Sequence, residues 1–519
     1  MPPTTDRSSH AVRVSKAART HAFGTLAAVT LACAMVALTA VRFWTFSAPY
    51  PPGLDGAQWL SYGRALVSGP GRSADSTYAP LVPILAHGFS LVLPPPLGLR
   101  VLAALILVLL GAAVWLLCAR ALGLVWGSLT TALVLPSTAM AEPFFYGGYP
   151  QQAALAFGAL GITALLVASH NRNLRSRQTA LALAAGAFLL SSASHLVFGP
   201  LLLVSGMLVV LAASNERSDR RRFLLRTAVA LAPAAAMSTF IAVDYICRGY
   251  RAPLAVSQRA LQDAWTYATR ESPGLWAVIV TVGIVVSSTD IIRQVTFARK
   301  ASSPCRLDEA VFVGFALSVP SGALLMASGQ PRLAPPLLLG GAILFAYVCR
   351  LAARARLPVL LALLLTWSAT IAWLAGSTTG LTHEFASYYQ VLDASLAAAV
   401  RNIPSTTAGS VAVAADRRGW PIGWWVEALQ ERPVFTGSNP QWLAFPEEQQ
   451  RASDAALLFA AQDGQVLRQR ARELDVTYLV IRKWEWIGWE HWIDSSAMSP
   501  GIIYDDNATI VLEVIPASP

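Results

Sequence analysis

The sequence predicts a polytopic α-helical membrane protein that ends in a small α/β domain. Of its 519 residues, 55% are hydrophobic and only 13% are charged, whereas about a quarter of the residues in an average soluble domain are charged. Apolar segments long enough to span a bilayer recur from residue 22 to residue 376. Beyond residue 377 the pattern changes to short alternating runs that are typical of strands.

The net charge of +10 does not by itself indicate a nucleic-acid partner, because the cytoplasmic loops of membrane proteins collect Lys and Arg. The five cysteines lie in or beside hydrophobic segments and have no ligand-like spacing: Cys33, Cys118, Cys247, Cys305 and Cys349. They therefore predict neither a disulfide framework nor a zinc site.

Residues 1–21 are predicted to form a basic cytoplasmic tail. The segment that follows is long enough to span, so it predicts an uncleaved first helix rather than a signal peptide. Eleven segments of spanning length are predicted, at 22–42, 101–119, 122–139, 150–169, 179–194, 196–213, 227–246, 275–289, 309–328, 333–349 and 357–376.

One further apolar stretch, 79–93, is too short for a confident span and contains Pro83 and His87. We interpret it as an interfacial or re-entrant helix. With this stretch not crossing and the N-terminus inside, every dense basic loop falls on the cytoplasmic side, as the positive-inside rule requires. The sequence thus predicts a multi-pass plasma-membrane protein whose loop 43–100 and C-terminal region are extracytoplasmic.

The C-terminal region, 377–519, is predicted to be a separate extracytoplasmic α/β domain. Its strand-like runs are 410–414, 477–481 and 509–514, with helical stretches between 447 and 474. It also contains half of the chain's tryptophans, for which interface packing and a platform for an acceptor glycan are the two interpretations. These are Trp420, Trp424, Trp425, Trp442, Trp484, Trp486, Trp489 and Trp492.

Ionisable residues outside the basic loops collect at the outer ends of the predicted helices. Transporters, by contrast, place such residues near the middle of the bilayer. The distribution predicts a cleft at the outer membrane surface, where a lipid-linked substrate would keep its chain among the helices and its head group in the cleft. The residues are Asp55, Glu142, His195, Asp244 and Arg332.

Asp55 is the acid closest to the first predicted span. Because Asp-Gly is a common turn dipeptide, one interpretation is a solvated turn acid. The other is a general base for a sugar hydroxyl, since a helix with Trp59 and Tyr62 on one side is predicted to begin directly after Asp55.

Short motifs follow Asp55 in a characteristic order along the chain. The first group is Gln58-Trp59, Tyr62-Gly63-Arg64-Ala65-Leu66-Val67-Ser68-Gly69, Tyr78-Ala79-Pro80-Leu81 and Leu99-Arg100. The second group is Leu135-Pro136, the loop from Glu142 to Gln152, the turn from Ser191 to His195, and Gln330-Pro331-Arg332.

This layout, over roughly residues 20–350, resembles the GT-C superfamily of membrane glycosyltransferases, including its mannosyltransferase-like members. The resemblance implies that an acid of the first outer loop, here Asp55, is catalytic and that the sugar donor is a polyprenyl phosphate. It also implies substrate or phosphate contacts from Trp59, Tyr146 and Gln151.

Many of these relatives carry a second acid or a histidine next to the first acid, whereas this chain has Gly56 and then Gln58. A hard cation such as Mg²⁺ or Mn²⁺ takes several oxygen ligands. Resemblance to metal-using relatives implies Glu142 as a second ligand together with Asp55, so a divalent cation remains one alternative.

Arg332 has two interpretations, a snorkelling interface arginine and a ligand for the donor phosphate. His195 is interpreted either as a turn histidine satisfied by backbone or as a contact to phosphate or hydroxyl. The leading hypothesis is an inverting glycosyltransferase that moves a sugar from a polyprenyl-phosphate donor to an extracytoplasmic acceptor, a bacterial cell-envelope glycan, glycolipid or protein.

Two alternatives belong to other classes. One is a catalytically inactive GT-C-like scaffold for envelope-polymer assembly, and the other is a lipid or solute transporter. The observation that discriminates among these hypotheses is whether Asp55, Glu142, His195 and Arg332 converge on one outward-facing cavity. A wide scatter of these residues through the structure would contradict the enzyme hypothesis.

Overall fold

A computed structural model describes residues 7–514 of the chain with internal gaps. The gaps are 54, 69–78, 172, 215–218, 250–257, 302–307, 355–356, 405–408, 431, 444, 485–489, 491 and 493–500. Gly69, Tyr78, Cys305, Trp486 and Trp489 therefore lie outside the described residues.

The N-terminal two thirds of the chain are helical. The helices from the N-terminus to the second outer loop are α1 (Arg7–Phe46), α2 (Asp55–Ser68), α3 (Leu81–Ser90), α4 (Pro95–Leu122), α5 (Leu124–Val134), α6 (Thr138–Ala141) and α7 (Pro143–Tyr146). The helices that follow are α8 (Tyr149–His170), α9 (Leu174–Ser194), α10 (Phe198–Ala213), α11 (Arg220–Cys247), α12 (Gln258–Ala268), α13 (Pro273–Ala301), α14 (Glu309–Ser328), α15 (Ala334–Ala353) and α16 (Leu357–Tyr388).

In the described part of the chain, eight helices are long and apolar enough to cross a membrane. A ninth span is formed if α5 counts together with the segment Thr138–Tyr146, to which it is joined by a 77° bend. Helices α9 and α10 cover two further predicted segments but are not among these eight. The number of eleven spans stays a prediction.

Helix α3 is shorter than a spanning helix, and helix α16 is longer than the sequence predicted. The stretch predicted to be interfacial forms α3, which has 10 residues and is therefore about 15 Å long, half the thickness of the hydrocarbon core. Helix α16 continues past the predicted end at residue 376 to Tyr388. The last turn of α16 therefore brings Tyr388, and Tyr389 that follows it, to the loop between α1 and α2.

The C-terminal region is an α/β domain, as predicted. Its strands are β1 (Ser410–Val413), β2 (Val434–Thr436), β3 (Val476–Arg482), β4 (Gly501–Asp505) and β5 (Thr509–Glu513), in the order β2-β1-β3-β5-β4. Strands β2, β1 and β3 are parallel, and β5 and β4 are antiparallel to their neighbours. The helices are α17 (Ala394–Asn402), α18 (Gly423–Gln430), α19 (Pro446–Phe459) and α20 (Gly464–Glu473).

The central strands are buried on both faces, which explains their apolar runs. Successive side chains of a strand point to opposite faces. Accordingly Val411 and Val413 belong to the large core shared with the membrane helices, while Ala412 packs in a second core with Leu458 and Leu467 of α19 and α20. The sheet is thus fastened to the helical body by one of its faces.

The loop between α1 and α2, and α2 itself, lie between the helical body and the C-terminal domain. The indole N–H of Trp425 in α18 donates a hydrogen bond to the carbonyl oxygen of Gly53, at 3.0 Å. The Arg64 guanidinium of α2 donates to the carbonyl oxygen of Ala428, at 3.0 Å. The helix that begins at Asp55 is therefore held from the side of the C-terminal domain.

Candidate active site

One cavity of about 360 Å³ collects most of the side chains that the sequence singled out. Asp55, Glu142, Tyr146, Gln151 and Arg332 all line it. The other lining residues come from α6, α7, α12, the turn before α15, the start of α15, the end of α16 and the C-terminal domain: Ala139, Pro143, Tyr267, Ala268, Gln330, Pro331, Pro335, Tyr388, Tyr389, Trp420 and Trp442.

Asp55 is the first residue of α2, where the helix dipole favours a negative charge. The loop that leads to it is fixed through Gly53, whose φ of 107° is a conformation that glycine adopts readily. The Gly53 N–H donates to the carbonyl oxygen of Tyr389, at 2.9 Å. The approach to Asp55 is therefore tied to the end of α16.

Gly147, in the short connection between α7 and α8, packs directly against Asp55. Its φ is 97°, and a Cβ added there would lie 2.5 Å from the Gly56 nitrogen and 3.0 Å from the Asp55 Cβ. The Trp59 indole donates to the Gly147 carbonyl oxygen, at 2.6 Å, and Trp59 is buried. Trp59 thus supports the contact between the two loops and does not line the cavity.

The electrostatics of Asp55 are set by burial and by Arg332. Burial raises the pKa of Asp55 from 3.8 to about 6, and the positive charge of Arg332 acts in the opposite direction. A carboxyl group with a pKa near 6 is still mostly ionised at neutral pH. It is also a stronger base than an ordinary aspartate, as general-base catalysis requires.

Glu142 is held by two tyrosines that the sequence analysis missed. Its Oε1 accepts hydrogen bonds from the hydroxyls of Tyr267, at 2.5 Å, and Tyr389, at 2.7 Å. The guanidinium of Arg270 lies 4.5 Å from the centre of the Tyr267 ring. The only signal for this group in the sequence is Arg270 itself, a basic residue on the side predicted to be outer.

The carboxylates of the cavity are its candidate ligands for a metal ion. Among the described residues, no three His, Cys, Asp or Glu side chains come together in a way that could hold one. The cavity offers two carboxylates, and one oxygen of Glu142 already accepts two tyrosine hydrogen bonds. Mg²⁺ is usually held by one or two carboxylates together with waters and substrate phosphates, so Asp55 and Glu142 are the side chains that would hold such an ion and let it neutralise phosphate charge. The steps proposed below describe what the side chains themselves do.

Arg332 lies in a short 3₁₀ turn, Pro331–Leu333, that precedes α15. Its guanidinium carbon lies 5.1 Å from the centre of the Tyr146 ring. The Tyr146 hydroxyl donates to Gln151 Oε1, at 2.9 Å, and Gln151 Nε2 donates to the Arg332 carbonyl oxygen, at 2.9 Å. Tyr146 and Gln151 therefore fix the turn that carries the cation, and both also line the cavity.

His195 does not line the cavity. Its Nδ1 accepts the backbone N–H groups of Val197 and Phe198, at 3.1 and 3.2 Å, and so caps α10. Burial, helped by the charge of Arg332, lowers the pKa of His195 to about 3. The histidine is thus neutral at physiological pH. Of the four residues Asp55, Glu142, His195 and Arg332, all but His195 line the cavity.

The described tryptophans of the C-terminal domain lie in three kinds of environment. Trp425 and Trp492 are completely buried and pack within the protein. Trp420 and Trp442 line the cavity, and Trp484 is exposed and stacks with Arg417 and Arg482.

No family model and no curated protein matches the chain. Several solved structures, in contrast, are similar to this chain. The apo structure of ArnT from Cupriavidus metallidurans matches with a TM-score of 0.57 and 12% identity, covering 95% of this chain and 100% of that one. ArnT bound to undecaprenyl phosphate matches with a TM-score of 0.55 and 12% identity, over 94% of this chain and 99% of that one.

The archaeal oligosaccharyltransferase AglB from Archaeoglobus fulgidus, in complex with an inhibitory peptide and a dolichol-phosphate, is a third similar structure. Its TM-score is 0.55 at 14% identity, covering 87% of this chain and 69% of that one. These likenesses show that the chain has the GT-C fold over nearly its whole length.

Proposed function

We propose that this protein is an inverting membrane glycosyltransferase that uses a polyprenyl-phosphate sugar as donor and acts on an acceptor outside the cytoplasm. The observation that carries the proposal is the shared cavity of Asp55 and Arg332, a raised-pKa carboxylate beside a cation. The fold supports it, since similar structures are of an ArnT bound to undecaprenyl phosphate and of an oligosaccharyltransferase with a dolichol-phosphate.

In the proposed reaction the acceptor hydroxyl attacks the anomeric carbon of the donor sugar. The new C–O bond forms as the bond from that carbon to the phosphate oxygen breaks, and the hydroxyl proton moves to Asp55. The leaving group is the polyprenyl phosphate, which takes the electron pair of the broken bond. One displacement inverts the configuration at the anomeric carbon.

Arg332 stabilises the charge that develops on the leaving phosphate. A guanidinium suits this role because it stays charged and offers several N–H donors in a planar fork. The hydrogen-bonded chain through Gln151 and Tyr146 holds its turn in place before substrate binds, and such preorganisation is a major source of catalysis.

In this scheme Glu142 orients the neighbouring tyrosine side chains. Its carboxylate links Tyr267 of α12 to Tyr389 after α16, and these side chains form one wall of the cavity. The group thereby holds together three segments that are far apart in the sequence. Arg270, which lies over Tyr267, places a positive charge near the Glu142 carboxylate.

The test is transfer by membranes that contain the wild-type protein or Asp55→Asn. The membranes are incubated with a panel of radiolabelled polyprenyl-phosphate sugars, and label in polymer or glycolipid is counted. We expect transfer from at least one donor by the wild type and none by Asp55→Asn at equal protein level. Full transfer by the variant would overturn the proposal.

A further inference from the structure

The cavity has an aromatic wall whose ring faces have no role in the transfer chemistry described above. It consists of Tyr388 and Tyr389 at the end of α16, Trp420 before α18, and Trp442 in the short turn Pro440–Trp442. We call these four residues the aromatic wall.

The rings of the aromatic wall are arranged as a corner. Trp420 stacks on Tyr389, with ring centres 5.9 Å apart and planes inclined by only 10°. Tyr388 and Trp442 stand nearly perpendicular to Trp420, at 88° and 83°. Trp420 and Tyr389 are buried, whereas Trp442 is 40% exposed and Tyr388 is 53% exposed. The two perpendicular rings are therefore the ones with surface to offer a ligand.

Arg418 holds the corner rigid. Its guanidinium carbon lies 3.6 Å from the centre of the Trp420 ring. Its Nε donates to Asp416, at 2.6 Å, and its NH1 donates to the carbonyl oxygen of Tyr388, at 2.7 Å. One cation thus connects the last turn of α16 to the C-terminal domain and fixes the Trp420 ring between them.

The chemistry of the lining favours one class of ligand. A sugar ring has an apolar C–H face that packs on an aromatic ring and a rim of hydroxyls that form hydrogen bonds, and Trp and Tyr provide large rigid rings with a polar tip. The same cavity also presents the polar side chains of Gln330, Arg332 and Asp55. A lipid chain would instead need a continuous apolar lining.

We propose that the aromatic wall is an acceptor subsite and that the acceptor is a carbohydrate, with Trp442 and Tyr388 as its contact residues. The inference rests on the proposed function, because it assigns the acceptor of that reaction. It gives the C-terminal domain a direct part in the site. A peptide or a lipid alcohol as acceptor would make this assignment wrong.

The first experiment measures binding without turnover. Full-length Asp55→Asn in detergent is mixed with oligosaccharides of mannose, of arabinose and of glucosamine, and saturation-transfer NMR reports which sugar C–H groups lie against protein. We expect binding of at least one series, weakened about tenfold by adding Trp442→Ala, which corresponds to about 1.4 kcal/mol of binding. Trp442→Phe keeps a ring and should retain most of the binding.

Trp484→Ala is the matched control, because Trp484 is an exposed tryptophan of the same domain, at 51%, that does not line the cavity. It should bind as the parent does. Absence of binding by every oligosaccharide, or equal weakening by Trp442→Ala and Trp484→Ala, would overturn the inference.

The second experiment separates this inference from the proposed function. In a transfer assay Trp442→Ala should raise the KM for the acceptor and leave the KM for the donor unchanged. If transfer depends on Asp55 but proceeds equally well in Trp442→Ala, the acceptor assignment fails and the glycosyltransferase stands. If transfer does not depend on Asp55, the proposed function fails, whatever binds to the aromatic wall.

Discussion

The backbone N–H of Gly53 donates a hydrogen bond to the carbonyl oxygen of Tyr389, at 2.9 Å. The same Tyr389 donates its hydroxyl to Glu142, at 2.7 Å. One residue at the end of the last membrane helix therefore holds both the loop that presents Asp55 and the second carboxylate of the cavity. Displacing Tyr389 would move both acids together.

The pH dependence of transfer should report the raised pKa of Asp55. A general base must be ionised to act, so below its pKa of about 6 kcat/KM should fall about tenfold for each pH unit. With an ordinary aspartate the fall would begin about two units lower. Initial rates between pH 4.5 and 8, measured in vesicles, test this. A rate that stays flat down to pH 5 would contradict the role of Asp55.

The same pKa predicts an effect on stability. Because the folded state binds the Asp55 proton more tightly than the unfolded state, the stabilisation by this group is present at low pH and is lost as pH rises through about 6. Asp55→Asn, which cannot ionise, should therefore raise the Tm at pH 7.5 and raise it about half as much at pH 5. Thermal unfolding at the two pH values measures the difference.

Arg332→Ala should weaken donor binding and shift the pH profile. Loss of a charged hydrogen-bond donor to phosphate costs about 1.5–3 kcal/mol, which corresponds to a rise of about tenfold or more in the donor KM. Since Arg332 lowers the pKa of Asp55, its removal should also move the acid limb of the profile to higher pH. A phosphate contact remote from Asp55 would not do this.

Arg401→Ala is the control for this variant. Arg401 is an exposed arginine at the end of α17 and does not line the cavity. It should leave both the donor KM and the pH profile unchanged.

Gly147→Ala should impair catalysis by pushing the segment that carries Gly147 away from the start of α2, where Asp55 lies. The new methyl group would lie 3.0 Å from the Asp55 Cβ and 2.5 Å from the Gly56 nitrogen, at a φ of 97°. Strain of this kind costs about 1–3 kcal/mol, so we expect a lower Tm and a transfer rate reduced about tenfold or more. Gly186→Ala, where nothing lies within 4 Å of the new carbon, should behave as wild type.

Glu448 of α19 should couple the C-terminal domain to α2. Its Oε1 accepts hydrogen bonds from Tyr62, at 2.9 Å, and from Gln58, at 3.2 Å, and the carboxylate is buried. Both Glu448→Gln and Tyr62→Phe should lower the Tm. The double variant should lose less than the sum of the two, by about 0.5–3 kcal/mol.

The neighbouring Glu447 provides the control, since it is an exposed glutamate in the first turn of the same helix. Glu447→Gln should leave the Tm unchanged. Additive losses in the double variant of Glu448 and Tyr62 would show that the two residues act independently.

Much of the fold follows from local pattern. Runs of apolar residues marked the helical segments, and alternating runs predicted β1, β3 and β5 at nearly their observed positions. Strands β2 and β4 were missed because β2 has only three residues and β4 lies at the sheet edge, mostly exposed. Neither strand has enough buried alternating residues to give a signal.

Sequence alone is enough to identify the polar residues that are unexpected in such an apolar chain. Ionisable residues are rare in this chain, so their positions in the sequence indicated Asp55, Glu142 and Arg332. These three residues meet in one cavity. The motif order likewise indicated the GT-C fold, which the solved structures confirm.

The remaining residues of the cavity are brought to Asp55, Glu142 and Arg332 by the packing of the folded chain. Tyr267, Tyr389, Trp420 and Trp442 come from segments far apart in the chain and share no spacing with Asp55, so no periodic pattern could assign them to its cavity. The folded structure also places His195 outside the cavity, where it caps α10. The physical reason is that contacts between remote side chains depend on how helices and sheet pack, which local sequence does not specify.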